Sequence, residues 1–239
     1  MIGSAVLRKA GTFAIALAFA VAANLAAAEI LDDQQPMYGG VGRLGDPALR
    51  TADETFVNAV ISTFGGRREG SAAIADDGWV LFRQNDDANA MRRFNQAWLV
   101  DPDYYDVYWG FGAILLVRGE IENAIAMLER ANAHPDVHAK NRAPLMGDLA
   151  NLYALKAYRL GLGTADRAAY FERANAMFAA AVTTDPANPQ AWLQWIVGLF
   201  YQARYGEAWE KVAAARDLGH SVPEQILGAL RAKLPEPAR

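Results

Sequence analysis

Two histidines four residues apart are the most metal-like feature of this sequence. His134 and His138 flank Asp136, and on a helix this spacing would place both imidazoles on one face, where they could bind a divalent metal. Pro135 opposes a helix here because proline lacks an N–H and restricts the residue before it. A solvated turn between helices is the favoured interpretation. These three residues are weak metal candidates, and we predict neither a bound metal nor a cofactor.

The sequence contains few residues in patterns typical of other catalytic sites. The chain has no cysteine, which excludes thiolate metal sites and cysteine nucleophiles. Beyond residue 28 its serines are Ser62, Ser71 and Ser221, and none lies in a G-x-S-x-G motif. The clustered aspartates at residues 76–77, 86–87 and 101–106 do not follow a calcium-loop pattern, and helix caps and turns account for most of them. We therefore predict that the protein is not an enzyme.

The strongest pattern is an internal repeat. An alanine, a large apolar residue four positions later and a second alanine three positions after that occur four times. The first alanines of the copies are Ala90, Ala124, Ala174 and Ala208. Asp-Pro follows two copies, at residues 101–102 and 185–186, and each proline should end a helix. Small residues at fixed spacing let helices approach closely, so the pattern predicts helix pairs.

A second signature precedes two of these copies. The patterns Y-x2-F-G-x2-L at residues 108–115 and W-x2-W-x3-L at residues 192–199 place aromatic residues and leucine on one helical face. The two halves together resemble the tetratricopeptide repeat (TPR), an antiparallel helix pair of about 34 residues. This resemblance implies an all-α fold, a right-handed α-α superhelix of about four TPR-like helix pairs with flanking N-terminal and C-terminal helices.

We predict three parts in the chain: a cleaved signal peptide at residues 1–28, an extended N-terminal arm at 29–46 and a single TPR-like helical domain at 47–239. The four repeats and the terminal capping helix are expected near residues 71–104, 105–138, 139–188, 189–222 and 223–234. Asp46-Pro47 and a capping box of Thr51 and Glu54 indicate the start of a flanking helix. The third repeat is 16 residues longer than 34. It therefore needs longer helices, the first of them from about Pro144, or an additional turn.

In TPR proteins the first helices of successive repeats line a groove that usually binds partners. The family's lining positions correspond here to Trp79, Phe82, Arg83, Asp106, Trp109, Ala113, Leu116, Gln190, Leu193, Val197, Phe200 and Tyr201. This lining is largely apolar and aromatic, and such a surface favours association. We expect it to bind a peptide or protein segment, with Trp79, Trp109 and Tyr201 as anchors.

Two alternatives use the same region. In the first, the aromatic side chains are core, covered by the flanking helices. A variant places the arm, with Met37, Tyr38, Gly39 and Gly40, in the groove of its own or a neighbouring molecule. In the second, the protein binds a sugar or peptidoglycan fragment by stacking. The residues for that role would be Tyr104, Tyr105, Asp106, Tyr108 and Trp109.

Two further segments carry a resemblance of their own. Gln-Pro-Met-Tyr-Gly-Gly at residues 35–40 and Arg-Phe-Asn-Gln-Ala-Trp at residues 93–98 are similar to segments of a group of exported bacterial TPR-like proteins of unassigned activity. That resemblance implies export and gives no partner.

The N-terminus and the charge define the expected compartment and partners. Arg8 and Lys9 precede an apolar run that ends in Ala26-Ala27-Ala28, which is typical of a secretory signal peptide. Cleavage after Ala28 would leave a periplasmic protein with no transmembrane segment. The net charge is −4, and loss of residues 1–28 makes it about −6, so nucleic acid is not expected as a partner. The expected partner is a protein or peptide, and a homo-oligomer is compatible with the sequence.

Overall fold

The computed structural model of the chain describes residues 34–39 and 46–238. These residues form one short 3-10 turn and ten α-helices, with no strand among them, which confirms the all-α prediction. The predicted signal peptide at residues 1–28 and Gly40 of the arm lie outside the described residues. The chain divides into two compact units, one ending at Arg118 and the other beginning at Gly119.

The first unit contains the short turn and four helices. They are the turn Pro36–Gly39 and helices α1 (Pro47–Phe64), α2 (Arg67–Arg83), α3 (Asp87–Val100) and α4 (Tyr105–Val117). α2 and α3 pack against each other as a pair, and α4 packs against both. α1 covers part of α2 and α3, while the short turn lies against α3. In chain order, the flanking helix α1 is followed by the helix pair α2 and α3 and then by α4.

Two helix starts in the first unit differ from the prediction. α1 begins at Pro47, as Asp46-Pro47 indicates, but Thr51 is inside the helix and its carbonyl accepts a hydrogen bond from the Thr55 hydroxyl. The predicted capping box is therefore wrong as a start signal. α2 begins at Arg67, four residues before Ser71. Ser71 is fully buried, and its hydroxyl donates to the carbonyl of Ala97 at 2.9 Å, so it contacts the neighbouring helix instead of starting its own.

The core of the first unit is built around Phe94. Its ring is fully buried, and it fills the space left by two glycines on the neighbouring helices. A Cβ atom at Gly78 would lie 3.0 Å from the Phe94 ring, and one at Gly110 would lie 2.3 Å from it. Ala90 and Ala97 on α3 are also fully buried. The small residues of the repeat pattern therefore allow close helix packing around one large side chain, as predicted.

A side-chain hydrogen bond secures the turn between α3 and α4. Asp103 N–H donates to the Asp101 carboxylate at 3.1 Å, which is a common way for aspartate to close a turn. The Tyr108 hydroxyl then donates to the carbonyl of Pro102. The Asp-Pro pair thus ends α3, and the fourth residue of α4 satisfies the proline carbonyl.

The second unit contains six helices. They are α5 (Ile121–Ala133), α6 (Ala139–Arg159), α7 (Ala165–Thr184), α8 (Pro189–Tyr201), α9 (Tyr205–Asp217) and α10 (Glu224–Arg231). α6 pairs with α7 and α8 pairs with α9, while α6 also packs against α5 and α8. α10 packs on α9 and buries Leu227 and Leu230, as expected of a terminal capping helix.

The third repeat is long because both of its helices are long. α6 has 21 residues and α7 has 20, compared with 13 in α8. α6 begins at Ala139 and not at about Pro144, which lies inside the helix. The Arg142 guanidinium donates to the carbonyls of Asn132, His134 and Pro135. Those bonds satisfy acceptors around the end of α5 and fix the first turns of α6 beside it.

In the second unit, as in the first, a buried phenylalanine packs against a glycine of the neighbouring helix. Phe178 and Ala174 on α7 are fully buried, and a Cβ atom at Gly198 would lie 2.8 Å from the Phe178 ring. The indole of Trp192, the fourth residue of α8, donates to the carbonyl of Pro186 at 3.0 Å. Each of the described helices is too short or too polar to cross a membrane.

Candidate functional site

An aromatic cluster joins the first helices of two repeats in the first unit. Trp79 of α2 makes edge-to-face contacts with Phe82 at 5.9 Å, Phe94 at 5.2 Å and Trp109 of α4 at 5.7 Å between ring centroids. Trp79, Phe82 and Trp109 keep part of their surface exposed. The structure therefore brings together three of the predicted groove residues, and we call Trp79, Phe82 and Trp109 the tryptophan face.

A buried carboxylate holds the tryptophan face in place. Asp106 is 7% exposed, and its Oδ2 atom accepts a hydrogen bond from the Trp79 indole at 3.0 Å. The predicted groove residue Asp106 is thus a positioning residue for Trp79 more than a surface for a ligand, since little of it reaches solvent. A hydrogen bond to a charged acceptor is stronger than one between neutral groups, so this contact fixes the indole orientation.

The electrostatics around the tryptophan face follow from burial. Burial raises the pKa of the Tyr104 hydroxyl far above its usual value, and the negative charges of Asp106 and Asp76 add to the shift. Burial also raises the pKa of Asp77, although Arg93 opposes that change. The Arg68 guanidinium lies 5.2 Å from the centre of the Tyr104 ring and pairs with Asp101 at 2.6 Å. Arg68 therefore contacts both Tyr104 and Asp101, and burial is the main cause of the pKa shifts of Tyr104 and Asp77.

The remaining predicted groove residues of the first unit differ in exposure. Arg83 is exposed, whereas Ala113 and Leu116 on α4 are half-buried. Val117, the last residue of α4, is 54% exposed. The accessible apolar surface on α4 therefore extends toward the C-terminal end of that helix.

A second aromatic surface lies on α6 and α8 of the second unit. Tyr201 at the end of α8 is 61% exposed, and Tyr158 near the end of α6 is 60% exposed. Their rings meet edge to face with centroids 6.2 Å apart, and we call them the tyrosine pair. Sequence reasoning identified Tyr201 but missed Tyr158, because the family's lining positions were not transferred to the overlong third repeat. Aligning the C-terminal ends of α6 and α8 would have assigned Tyr158 to a lining position.

The other predicted residues of α8 differ in exposure, and one of them, Phe200, contacts the tyrosine pair. Phe200 contacts Tyr201 at 5.7 Å and Tyr205 at 5.6 Å between ring centroids, and it packs on the buried cluster that contains Trp209. Leu193 and Val197 are half-buried, and Gln190 is exposed. Phe200 is therefore partly core, while Tyr201 is the accessible member of the set.

The histidine pair does not lie on one helix. His134 follows the last residue of α5, and His138 precedes the first residue of α6. The His134 ring nitrogen Nδ1 accepts a hydrogen bond from the backbone N–H of Asp136 at 3.3 Å. No group of three or more histidine, aspartate and glutamate side chains in the described ranges is placed to hold a metal ion. The turn geometry matches the favoured interpretation of these residues.

The tyrosines proposed for sugar stacking are mostly core. Tyr105 is fully buried, Tyr108 is 1% exposed and Tyr104 is 7% exposed. A sugar needs the open face of an aromatic ring, so these three side chains cannot supply a stacking platform. Trp109, the remaining aromatic residue of the predicted set, keeps part of its surface exposed.

A small cleft lies between α1, α2 and α3. Its volume is about 190 Å³, below the usual range of roughly 300–1,000 Å³ for small-molecule sites. Its lining residues are Arg50, Asp53, Glu54, Val57, Asn58, Arg67 and Leu99. The Arg67 guanidinium donates to the carbonyl of Val100 at 2.9 Å, which links α2 to the end of α3. Two carboxylates, those of Asp53 and Glu54, line the cleft.

Part of the N-terminal arm contacts α3. Met37, Tyr38 and Gly39 belong to the short turn, and the Tyr38 backbone N–H donates to the side chain of Asn95 at 3.2 Å. Asn95 is one residue from Phe94 on α3 and is fully buried. Sequence reasoning quoted both segments but did not connect them, because contacts between distant residues leave no local pattern.

The comparisons with known proteins bear on the fold. The chain matches no protein-family model, and no curated protein matches it. Among solved structures it is similar to PilF of Pseudomonas aeruginosa, with a TM-score of 0.53 and 15% sequence identity. The match covers 82% of this chain and 81% of the PilF chain. At this identity the likeness shows the fold, a TPR-like helical repeat, and not the function.

Proposed function

We propose that this protein is a non-catalytic interaction module that binds a peptide or protein segment on the first helices of its repeats. The observation that carries the proposal is the tyrosine pair. Large aromatic side chains are usually well buried, and two neighbouring ones that are each about 60% exposed form an apolar surface with polar hydroxyl tips. Tyrosine with this exposure is typical of the residues that dominate protein interfaces.

The tryptophan face supports the same proposal in the first unit. Its rings are held by mutual edge-to-face contacts and by the bond between Trp79 and Asp106. Pre-positioned aromatic rings lose little conformational entropy when a partner binds. An apolar side chain of the partner would pack against Trp79 and Trp109 without reorganising them.

The non-catalytic part of the proposal is supported by the polar groups. The pKa values of the Tyr104 and Tyr153 hydroxyls are strongly raised. Burial is the main cause for both, and the Tyr153 hydroxyl also donates to Glu129 at 2.6 Å while receiving a bond from Arg173 at 2.8 Å. These partners link α5, α6 and α7. Perturbed groups with such structural partners are explained without a reaction.

Alanine substitution of the tyrosine pair tests the proposal. Tyr158→Ala and Tyr201→Ala should each reduce recovery of the bound partner by about tenfold or more, the effect expected of interface anchors. Both side chains are mostly exposed, so the free energy of unfolding should change by about 0.5 kcal/mol or less. The measurement is quantitative co-purification of partners from periplasmic extract, with thermal unfolding recorded for every variant.

Leu218→Ala is the matched control for this experiment. It removes an apolar side chain that is 51% exposed and lies outside the tyrosine pair. Recovery of partners should stay at the wild-type level in this control. Unchanged recovery of every partner from Tyr158→Ala, Tyr201→Ala and the double variant would refute a role for the pair.

We also propose that the protein acts in the periplasm after residues 1–28 are removed. The support is the sequence alone: Arg8 and Lys9, the apolar run and the alanines that end at Ala28. The intact mass of protein recovered from a periplasmic fraction should correspond to a chain that begins at Glu29. Recovery of a cytoplasmic chain that retains residues 1–28 would contradict this proposal.

A further inference from the structure

Asn95 connects α3 to the backbone of the N-terminal arm. Its Nδ2 atom donates to the carbonyl of Gln35 at 2.8 Å, and its Oδ1 atom accepts from the Tyr38 N–H at 3.2 Å. Arg118, at the end of α4, donates to the carbonyl of Gln34. These three contacts reach main-chain atoms of the arm, so they would recognise the shape of its backbone.

The burial of Asn95 makes this contact important. The residue has 0% exposure and lies in the middle of α3, where asparagine is a poor helix former. A buried amide needs hydrogen-bond partners for its N–H and C=O groups. Here the arm satisfies both groups from positions 57 and 60 residues away in the chain. A polar side chain in this position is best explained by the segment that it binds.

The arm adopts a conformation that it would not favour by itself. Met37 has φ 54° and Tyr38 has φ 56°, so two consecutive non-glycine residues are left-handed. Side chains disfavour this region because the Cβ atom approaches the neighbouring carbonyl. The turn directs the Tyr38 N–H toward Asn95, and the same N–H lies 3.1 Å from the Gln35 carbonyl. The arm is thus held as a bound peptide would be, in a shape selected by its site.

We propose that Asn95 and Arg118 form a peptide-docking site whose ligand is the chain's own arm, residues 34–39, bound as a tethered peptide. The site binds three backbone groups of the left-handed turn: the carbonyl of Gln35, the N–H of Tyr38 and the carbonyl of Gln34. The occupant is the arm of the same molecule, and a separate peptide of the same sequence competes for the site. This docking is independent of the tyrosine pair and of any partner bound there.

Hydrogen exchange in the full chain tests whether the arm is docked. In the wild-type protein, peptide fragments that cover residues 34–39 should exchange slowly. Asn95→Ala and Arg118→Ala should each accelerate that exchange by about tenfold or more, since docking protects the amide of Tyr38. Arg118 is exposed, so its variant keeps the fold even if Asn95→Ala loses stability. Arg92→Ala, also exposed and on α3, is the control that should leave the exchange unchanged.

Binding of a separate peptide distinguishes docking from simple packing. A fluorescent peptide of residues 31–42 should bind weakly to the wild-type chain, because the tethered arm competes at high effective concentration. Tyr38→Pro removes the N–H and cannot adopt positive φ, so it opens the site in the full chain. The peptide should bind this variant about tenfold more tightly, and addition of Arg118→Ala should weaken that binding.

Two results would overturn the docking site. One is rapid exchange of residues 34–39 in the wild-type chain, equal to that of Arg118→Ala. The other is equal peptide binding by wild type, Tyr38→Pro and the Tyr38→Pro/Arg118→Ala double variant. Both measurements are independent of partner recovery, so failure of the docking site is distinguishable from failure of the interaction proposed for the tyrosine pair.

Discussion

Phe94→Ala is expected to lower the free energy of unfolding of the first unit by about 3–5 kcal/mol, the usual range for removing a buried aromatic ring. The Phe94 ring is fully buried and touches Trp79 at 5.2 Å and Phe111 at 6.3 Å between ring centroids. Three helices meet around it, because Gly78 and Gly110 lie against the ring from α2 and α4. The helices cannot collapse into the space without breaking these contacts, so a cavity remains.

The measurement is urea denaturation of the full chain, followed by circular dichroism. Val117→Ala provides the control, since Val117 is 54% exposed and its truncation should change stability by about 0.5 kcal/mol or less. Intrinsic tryptophan fluorescence should also respond to Phe94→Ala, because the Trp79 indole loses one of its ring contacts. A Phe94→Ala cost no larger than that of Val117→Ala would show that the ring is not the centre of this core.

Gly110→Ala is expected to destabilise the protein by about 1–3 kcal/mol through overpacking, although alanine is normally the better helix residue. A Cβ atom at residue 110 would lie 2.3 to 2.5 Å from three atoms of the Phe94 ring. Phe94 cannot move away easily, since Trp79 and Phe111 hold its ring on other sides. The steric conflict therefore exceeds the gain of about 1 kcal/mol that alanine offers over glycine in a helix.

Gly228→Ala is the matched control for that prediction. Gly228 lies within α10 and has no atom within 4 Å of the position its Cβ would occupy. Alanine there should stabilise the helix by up to about 1 kcal/mol. Adding Phe94→Leu to Gly110→Ala should recover part of the lost stability, because the two positions share one space. Stabilisation by Gly110→Ala similar to that by Gly228→Ala would contradict the packing described for α4.

Much of the fold could be predicted because the repeat pattern depends on packing. Ala90, Ala124, Ala174 and Ala208 are all fully buried, as their spacing indicated. Phe94 and Phe178 occupy equivalent places and face Gly110 and Gly198. Small residues beside a large one leave a strong signal in a sequence, since few residue types satisfy both requirements at fixed spacing.

Helix starts were harder to predict because their signals are local and ambiguous. Ser71 is a common type of cap, yet its hydroxyl bonds to Ala97 on another helix. Gly66 precedes α2 without a side-chain cap, so the true start has no polar marker. Pro144 also resembled a start, but it is the sixth residue of α6, where proline removes an N–H that a helix would otherwise pair with the carbonyl of Lys140.

The candidate site was predictable only where the repeat register held. Trp79 and Trp109 were each assigned to one of the family's lining positions in neighbouring repeats, and the structure places their rings 5.7 Å apart. Tyr158 lies in the lengthened α6, where a 34-residue register no longer assigns positions. The contact of Asn95 with Gln35 and Tyr38 spans about 60 residues, and a side chain that binds backbone atoms imposes no residue type on its partner.

The carbonyls of Pro102 and Pro186 each accept a hydrogen bond from the aromatic side chain six residues later, the Tyr108 hydroxyl in one case and the Trp192 indole N–H in the other. Tyrosine and tryptophan differ in shape but donate this hydrogen bond to the equivalent carbonyl. Phenylalanine would fill a similar volume but has no donor. Asp-Pro followed after five intervening residues by tyrosine or tryptophan thus marks the turn between one helix pair and the next. A hydropathy profile does not detect this pattern, because it scores the hydrophobicity of each residue and contains no information on hydrogen-bond donors or their direction.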